Sequence, residues 1–439
     1  MAEWDYFQLS AFDTSCSEVA FTTAWLIQGT IDIPSLSAAL DGLTERWRML
    51  AGRIEPSDKP GAWRVQVPKG DFAPEYRRYA LTTAVSDTPI SDYVTLPLLI
   101  VSPTLPVSLF VAPATPTSNK TYVQTQHPLI SIHVTALPNS GFAAIGFTVP
   151  HGVFDATGMA LLQEALEAQL HAREWNPPSH PDALNAALST HVVRPVAMSF
   201  FYKISTVVMG ALRSVYDCFW NGACDHLVVV PEAVHLGLVD QIRALSKVRV
   251  SSSDVLAAWF YKTLYSKGTP ARRTVRLVTF SSFRPSIPNM STYPHNAFIR
   301  NFCPQTSVGD LAQRPLEDIA LSVFQSRQNQ GTEDVMAVYD AIASHGILDC
   351  STCAFDCRGA DELFWVNNCS SLRSTELRWP GVSAVKWANR YMRTESGFQL
   401  SNIISVMGRM DGDLLLHVNV SKAKLSLLEK EIQRLAAKD

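Results

Sequence analysis

The sequence predicts an α/β (α+β) protein built as two domains, on three observations. At 439 residues the chain exceeds what one hydrophobic core usually supports, so two units of roughly 200 residues are expected. The composition, 47% apolar with 10% aromatic and 18% charged residues, is that of a globular protein able to fill two cores. Helical and strand-like patterns alternate through both halves instead of being segregated to one end.

The elements follow in order. In DIPSLSAALDGLTERWRMLAGRI, Leu36, Leu40, Leu43, Trp47 and Leu50 form one helical stripe, and Pro34 and Ser35 suit its first turn. From Ala62 to Pro150, short β-branched runs broken by proline and glycine read as strands and loops, with a hairpin over Ile130 to Val149 that turns at PNSG. The helical period returns through Met159, Leu162, Leu166 and Leu170 and stops at the prolines of NPPSHP. Ala197 to Trp220 is apolar enough to raise the question of a membrane span. A span needs ~20 apolar residues, in which Lys203, Arg213 and Asp217 would be costly, so this stretch reads as a mostly buried amphipathic helix with no transmembrane segment, membrane-surface attachment being the alternative. The chain then divides into residues 1–190, a crossover at 191–225, and residues 226–439.

In the second half, SSSDVLAAWFYKTLYSKG offers serine and aspartate caps, a stripe of Val255, Leu256, Trp259 and Thr263, and Gly268 as a stop. Thr274 to Phe283 reads as a strand, EDIALSVFQSRQ as a helix, and Leu414 to Val420 as a strand. A closing helix turns Leu425, Leu428, Ile432 and Leu435 inward.

Charge and motifs narrow the function. With 37 basic against 40 acidic residues and no block of like charge, nucleic acid is not an expected partner. MAEWDYFQLSAFDTSC lacks the basic and apolar regions of a secretory leader, so a cytoplasmic location is expected, with the eight cysteines as thiols. A P-loop, G-x-G-x-x-G and G-x-S-x-G are absent, which argues against NTPase, dinucleotide-binding and ordinary serine-hydrolase readings.

The chemistry concentrates in VPHGVFDATG. A histidine of ordinary pKa, about 6.5, is largely neutral yet basic near neutral pH, so His151 is able to take a proton from a hydroxyl. On the residues alone it reads equally as a turn histidine. Asp155 precedes a strongly periodic helix, where aspartate caps free N–H groups, and as a cap or ion-pair partner it would fix the turn that presents the imidazole. A catalytic zinc takes three protein ligands, and His127 and His133 stand at no recognised ligand spacing, so no metal is expected at His151. Farther on, HGILDCSTCAFDC groups His345, Cys350, Cys353 and Cys357; it holds one half of a structural zinc pattern, and a cysteine-rich loop is the plainer reading. The sequence places no nucleophilic cysteine beside His151.

The segments LTERWRMLAGRI, HPLISIHVTALPNSGFAAIGFTVPHGVFDATG, SSSDVLAAWF, SSFRPSIPNMSTYPHNAF, WVNNCSSLRSTELRWPG and VMGRMDGDLLLHVNV resemble the BAHD acyltransferase family in its fungal branch. They lie in the family's order across nearly the whole chain. The resemblance implies two chloramphenicol-acetyltransferase-like domains with a channel at their interface. It implies transfer of an acyl group, most simply acetyl from acetyl-CoA, to a hydroxyl of a hydrophobic secondary metabolite of terpenoid, meroterpenoid or polyketide type. His151 would be the general base, Asp155 would turn away to pair with Arg284 of SSFRPS, and no covalent acyl-enzyme would form. Acyl-CoA is then a co-substrate, no permanently bound cofactor is called for, and a monomer suffices.

The same resemblance locates further residues. The family's D-F-G-W-G survives only as ELRWP, in which Glu376 keeps the charge and Trp379 the ring, and Ala156 stands where glycine usually follows the motif's aspartate. Asn367 of WVNNCSSL is a candidate oxyanion or acceptor contact, with a backbone-bonded strand-end asparagine as the plainer alternative. Ser252, Ser253 and Asp254, together with Asn296 of YPHNAF, fall on the side where family members contact the donor. Two other classes use the same residues: a non-catalytic small-molecule binder, and a cyclase or rearrangement catalyst with His151 as base and no acyl donor. Coenzyme A binding separates both from the acyltransferase. A condensation domain would show H-H-x-x-x-D-G where this chain has P-H-x-x-x-D-A.

Overall fold

The computed structural model describes residues 3–58, 61–178, 183–189, 191–194, 204, 208, 212, 215–217, 219–246, 248–345, 360–397 and 400–437. Most of Ala197 to Trp220, and all of Cys350, Cys353 and Cys357, lie outside these residues. Two large sheets organise the molecule as a two-domain α/β fold. The first has five strands in the order Val382–Thr394, Val19–Gly29, Phe142–Pro150, Ser131–Leu137 and Ala80–Val85. Its neighbours are antiparallel except for Ala80–Val85, which runs parallel to Ser131–Leu137. The second runs Phe298–Phe302, Thr274–Ser282, Glu362–Asn368, Ile403–Met410, Asp413–Val420, Cys224–Val230 and Val101–Pro103, with Thr306–Ser307 beside Thr274–Ser282. Each sheet takes an edge strand from the other half of the chain: Val382–Thr394 closes the first and Val101–Pro103 the second.

The apolar stripes explain the layers. Leu36, Leu40 and Leu43 of helix Ile33–Arg46 and Met159, Leu162 and Leu166 of helix Ala156–Leu170 are buried in one core with the five-stranded sheet. Trp47 and Leu50 continue the first stripe into the core, although the helix ends at Arg46 and a 3-10 turn, Arg48–Ala51, follows. Helices Glu232–Leu245, Ser252–Leu264, Leu316–Gln328 and Lys422–Ala436 pack Leu238, Trp259, Ile319 and Leu428 into a second core on the larger sheet. The hairpin of Ser131–Leu137 and Phe142–Pro150 turns through Pro138–Ser140, with Gly141 left-handed at φ 70°. The region from Ala62 to Pro150 also holds a helix, Asn119–Thr125, that the strand-and-loop pattern hid; Ser118 and Thr121 cap it reciprocally. No helix among the described residues is long and apolar enough to cross a membrane.

Candidate active site

His151 sits where strand Phe142–Pro150 ends and helix Ala156–Leu170 begins. Its N–H still donates to Val19 O at 2.8 Å, while the N–H groups of Val153 and Phe154 both donate to Pro150 O at 3.1 Å and close the turn. The ring Nδ1 lies 3.0 Å from Phe154 O, which fixes the imidazole and leaves Nε2 as the other ring nitrogen. Phe21 meets the half-buried ring edge-on at 5.2 Å between centroids, and Phe298 lies 6.0 Å away on another side. Aromatic contacts continue from Phe298 to Phe280 and from Phe280 to Trp365, each at 5.9 Å.

The turn is held by buried charge. Asp155 caps the helix by accepting from Gly158 N at 2.9 Å, and Arg284 Nη2 reaches its two carboxylate oxygens at 2.9 and 2.8 Å. Arg284 also donates to Tyr293 O and His295 O, so Asp155 and its partner are committed to the fold. His295 in turn lies with Nδ1 2.7 Å from Val153 O, and burial lowers its pKa, which keeps it neutral. Gly158 is required by contact: a Cβ there would stand 1.8 Å from Pro294 O. Ala156 is the first, half-buried helical residue, where its methyl is accommodated.

The other residues singled out from the sequence are dispersed. Asn296 is buried and committed to the turn: Nδ2 donates to Asp13 Oδ1 at 2.9 Å and to His151 O at 2.7 Å. Asp254 closes a capping box with Ser251 and pairs with Arg327 at 2.8 Å, while Ser252 Oγ accepts from Arg243. Ser253 is half-buried on the same first turn. Asn367, near the end of strand Glu362–Asn368, accepts weakly from the Cys369 thiol, and its amide N–H groups are unpaired among the described residues. Cys369 accepts from Arg390, whose guanidinium lies 5.5 Å from the Phe21 ring that touches His151. The Glu376 carboxylate faces Arg373 and Arg378, which hold it below the usual carboxylate range, and its carbonyl accepts from Gln163 at 2.6 Å. Trp379 is buried in the first core. Glu376 and Trp379 therefore dock the ELRWP segment on helix Ala156–Leu170 and the first core. His345 ends helix Thr332–His345, and its three cysteine companions lie outside the described residues.

No family model matches the chain. It is similar to the O-acyltransferase pboC of Aspergillus ustus, 25% identical over 346 residues that cover 72% of this chain and 71% of that one. It is also similar to the acetyltransferase pyiB of Pyricularia grisea, 27% identical over 67% of this chain and 64% of that one. Among solved structures, TRI101 of F. sporotrichioides complexed with coenzyme A and T-2 superposes with a TM-score of 0.68 at 14% identity, covering 97% of both chains. Vinorine synthase does so at 0.63 and 13%, covering 98% of this chain and 93% of the other. The chain is an acyltransferase with the fold of TRI101 and vinorine synthase.

In this acyltransferase Cys16 comes within electrostatic reach of His151, a proximity that the sequence alone does not place. The Cys16 thiol and the imidazole attract each other electrostatically. Cys16 lies in the turn before strand Val19–Gly29 and His151 in the turn after Phe142–Pro150. The antiparallel pairing that sets Ala20 opposite Pro150 brings the two turns together. Burial is the largest single influence on both and would lower the His151 pKa and raise that of Cys16, but their mutual attraction and the neighbouring groups together outweigh it. With help from Asp155, His151 is raised to about 9, and Cys16, also near Arg300, is lowered. Asp13 is the second residue that sequence reasoning missed. It caps a short helix with Ser10 through one oxygen and accepts from the Asn296 N–H and amide through the other. The serine and aspartate three apart in QLSAFDTSC signal the cap but not the long-range contact.

Proposed function

We propose that the chain is an acyl-CoA-dependent O-acyltransferase that moves an acyl group, most simply acetyl, onto a hydroxyl of a bulky hydrophobic secondary metabolite. His151 is the general base for that hydroxyl. One observation carries this reading: a half-buried imidazole, anchored through Nδ1 on Phe154 O and ringed by Phe21 and Phe298, in a chain whose sequence relatives are named acyltransferases and acetyltransferases. The aromatic run through Phe280 and Trp365 suits an apolar acceptor better than a polar one. Coenzyme A is present in structures of the similar protein TRI101, with T-2 in one and deoxynivalenol in another, and we carry over the donor and the small-molecule character of the acceptor.

We assign residues 1–190 and 226–439 to two units around a channel, with 191–225 crossing between them. A thioester is already activated, so orientation of acceptor and donor supplies much of the catalysis. Asn367 has free N–H groups for an oxyanion, and Ser253 is the donor-side candidate least committed to other contacts. The protein works as a cytoplasmic monomer without a resident cofactor.

Titration with acetyl-CoA by calorimetry, followed by acetylation of a panel of terpenoid and polyketide alcohols, tests the reading. His151→Ala keeps donor affinity and loses ~10²–10⁴ in kcat, the usual contribution of a general base. Donor binding by neither protein refutes the proposal.

A further inference from the structure

We propose that the acceptor of the reaction is a hydroxy acid and that Arg390 binds its carboxylate. This rests on the acyltransferase reading of the site and gives a second anchor point to an acceptor described so far only as bulky and hydrophobic.

The other buried arginines are fully engaged, and Arg390 is not. Three arginines among the described residues are buried: Arg53, Arg284 and Arg390. Arg53 donates to the carbonyls of Ala51, Gly52 and Arg77, and Arg284 donates to Asp155 and to the carbonyls of Tyr293 and His295. Arg390 is 9% exposed, and among the described residues its guanidinium makes one hydrogen bond, from Nη1 to the Cys369 sulfur at 3.2 Å. Its Nε is buried with no partner among these residues. Sulfur is a weak acceptor, and the Phe21 ring at 5.5 Å offers only the attraction of its π face. Neither supplies the oxygen ligands that a buried guanidinium calls for.

Strand pairing puts this cation on the face that carries the base. Arg390 of Val382–Thr394 stands opposite Thr23 of Val19–Gly29, and Phe21 follows on the same face two residues along. Thr23 is 0% exposed, and its hydroxyl has no partner among the described residues. Phe21 meets the His151 ring at 5.2 Å and the Arg390 guanidinium at 5.5 Å, so imidazole and guanidinium are no farther apart than these two lengths laid end to end. The Cys369 sulfur that Arg390 holds also donates to Asn367, the candidate oxyanion contact. Arg390 therefore belongs to the reaction site.

The unpaired groups select the ligand. The Arg390 Nε–H, the Thr23 hydroxyl and the Asn367 amide N–H groups are all able to donate, so they suit a group rich in acceptor oxygens. The buried positive charge further requires that this group be negative. A carboxylate meets both demands with the planar pair of oxygens that a guanidinium grips best. A ketone or ester would leave the charge uncompensated, and an oxyanion that exists only in the transition state would leave it so in the bound ground state. The acceptor is then an apolar body about one ring across that lies on Phe21, with its hydroxyl toward His151 and its carboxylate toward Arg390. The carboxylate is not consumed: the hydroxyl loses its proton to His151 and gains the acyl group, and the acid only fixes which hydroxyl is presented.

The test uses a probe that does not depend on knowing the true acceptor. Cyclohexanecarboxylate and its uncharged amide, cyclohexanecarboxamide, are titrated into the protein by calorimetry. Wild type is expected to bind the acid ~10–10²-fold more tightly than the amide, the usual worth of a hydrogen bond to a charged group. Arg390→Met is expected to lose this preference and, because it removes an uncompensated buried charge, to melt at or above the wild-type temperature. Thr23→Val removes a hydroxyl that the fold does not use, so it is expected to melt as wild type and to bind the acid roughly threefold to tenfold less tightly. In acetylation of terpenoid hydroxy acids and their methyl esters, the advantage of acid over ester is expected to reside in KM and to disappear in Arg390→Met. Equal binding of acid and amide by wild type, a preference retained by Arg390→Met, or marked destabilisation of that variant overturns the proposal and leaves the acyltransferase reading standing. So does a loss of kcat on acid and ester alike, which would make Arg390 an oxyanion donor. Failure to bind acetyl-CoA overturns the acyltransferase reading, and the hydroxy acid's place as acceptor with it.

Discussion

Removing Arg284 isolates a buried carboxylate, and the cost is readable from the contacts. Arg284 and Asp155 are 6% and 4% exposed, and a single guanidinium nitrogen serves both carboxylate oxygens. In Arg284→Ala, Asp155 keeps only Gly158 N at 2.9 Å and Ala297 N at 3.3 Å, while the carbonyls of Tyr293 and His295 lose their donor. Breaking a buried pair in this way costs ~3–5 kcal/mol. At ~2–4 °C per kcal/mol for large domains, the melting temperature falls by roughly 10 °C. Asp155→Asn keeps a cap for Gly158 N but strands the guanidinium, so its loss is of similar size. Replacing both residues, in Asp155→Leu with Arg284→Met, costs less than the sum of the single changes because no unpaired charge is left. The assay is thermal denaturation of all variants, with the ratio of activities on two acceptors as a second readout. Wild-type melting in both single variants, or a changed acceptor ratio without destabilisation, would refute the structural role.

Three further outcomes are expected. By NMR the His151 ring titrates near pH 9 in the wild type, and in Cys16→Ser it moves down because burial is then opposed chiefly by Asp155 without the attraction of Cys16; an unmoved titration sinks the pairing. A raised histidine pKa stabilises the fold fully below its unfolded value of about 6.5, and this contribution fades as the pH rises through about 9. Asn296→Ala releases the turn that carries His151 and lowers kcat by about 10²-fold with acetyl-CoA affinity unchanged in calorimetry, whereas weakened donor binding with intact kcat would make Asn296 a donor contact. Asn367→Leu removes the free amide donor and lowers kcat by ~10²–10³, and a loss of less than about tenfold in steady-state kinetics rules out an oxyanion role.

What the sequence disclosed divides along physical lines. The helices over Ile33–Arg46, Ala156–Leu170 and Ser252–Leu264 are legible because their apolar stripes and caps are local properties of consecutive residues. The hairpin ending at His151 is legible for the same reason, through alternation on both sides of PNSG. Strand Val382–Thr394 is different. Its place beside Val19–Gly29 depends on the fold of the whole chain, and no local pattern tells a strand which sheet it will join.

The same distinction separates His151 from Cys16. The histidine is found by its neighbours in sequence, the cysteine only by the strand pairing that sets Ala20 opposite Pro150. Asn296 adds a second lesson. The resemblance puts it on the donor side, and its amide N–H groups are taken up by Asp13 and His151, so its first effect is on the turn that carries the imidazole. Asp13 makes the difference: a buried carboxylate must be satisfied, and in satisfying it Asn296 ties the Cys16 turn to the His151 turn.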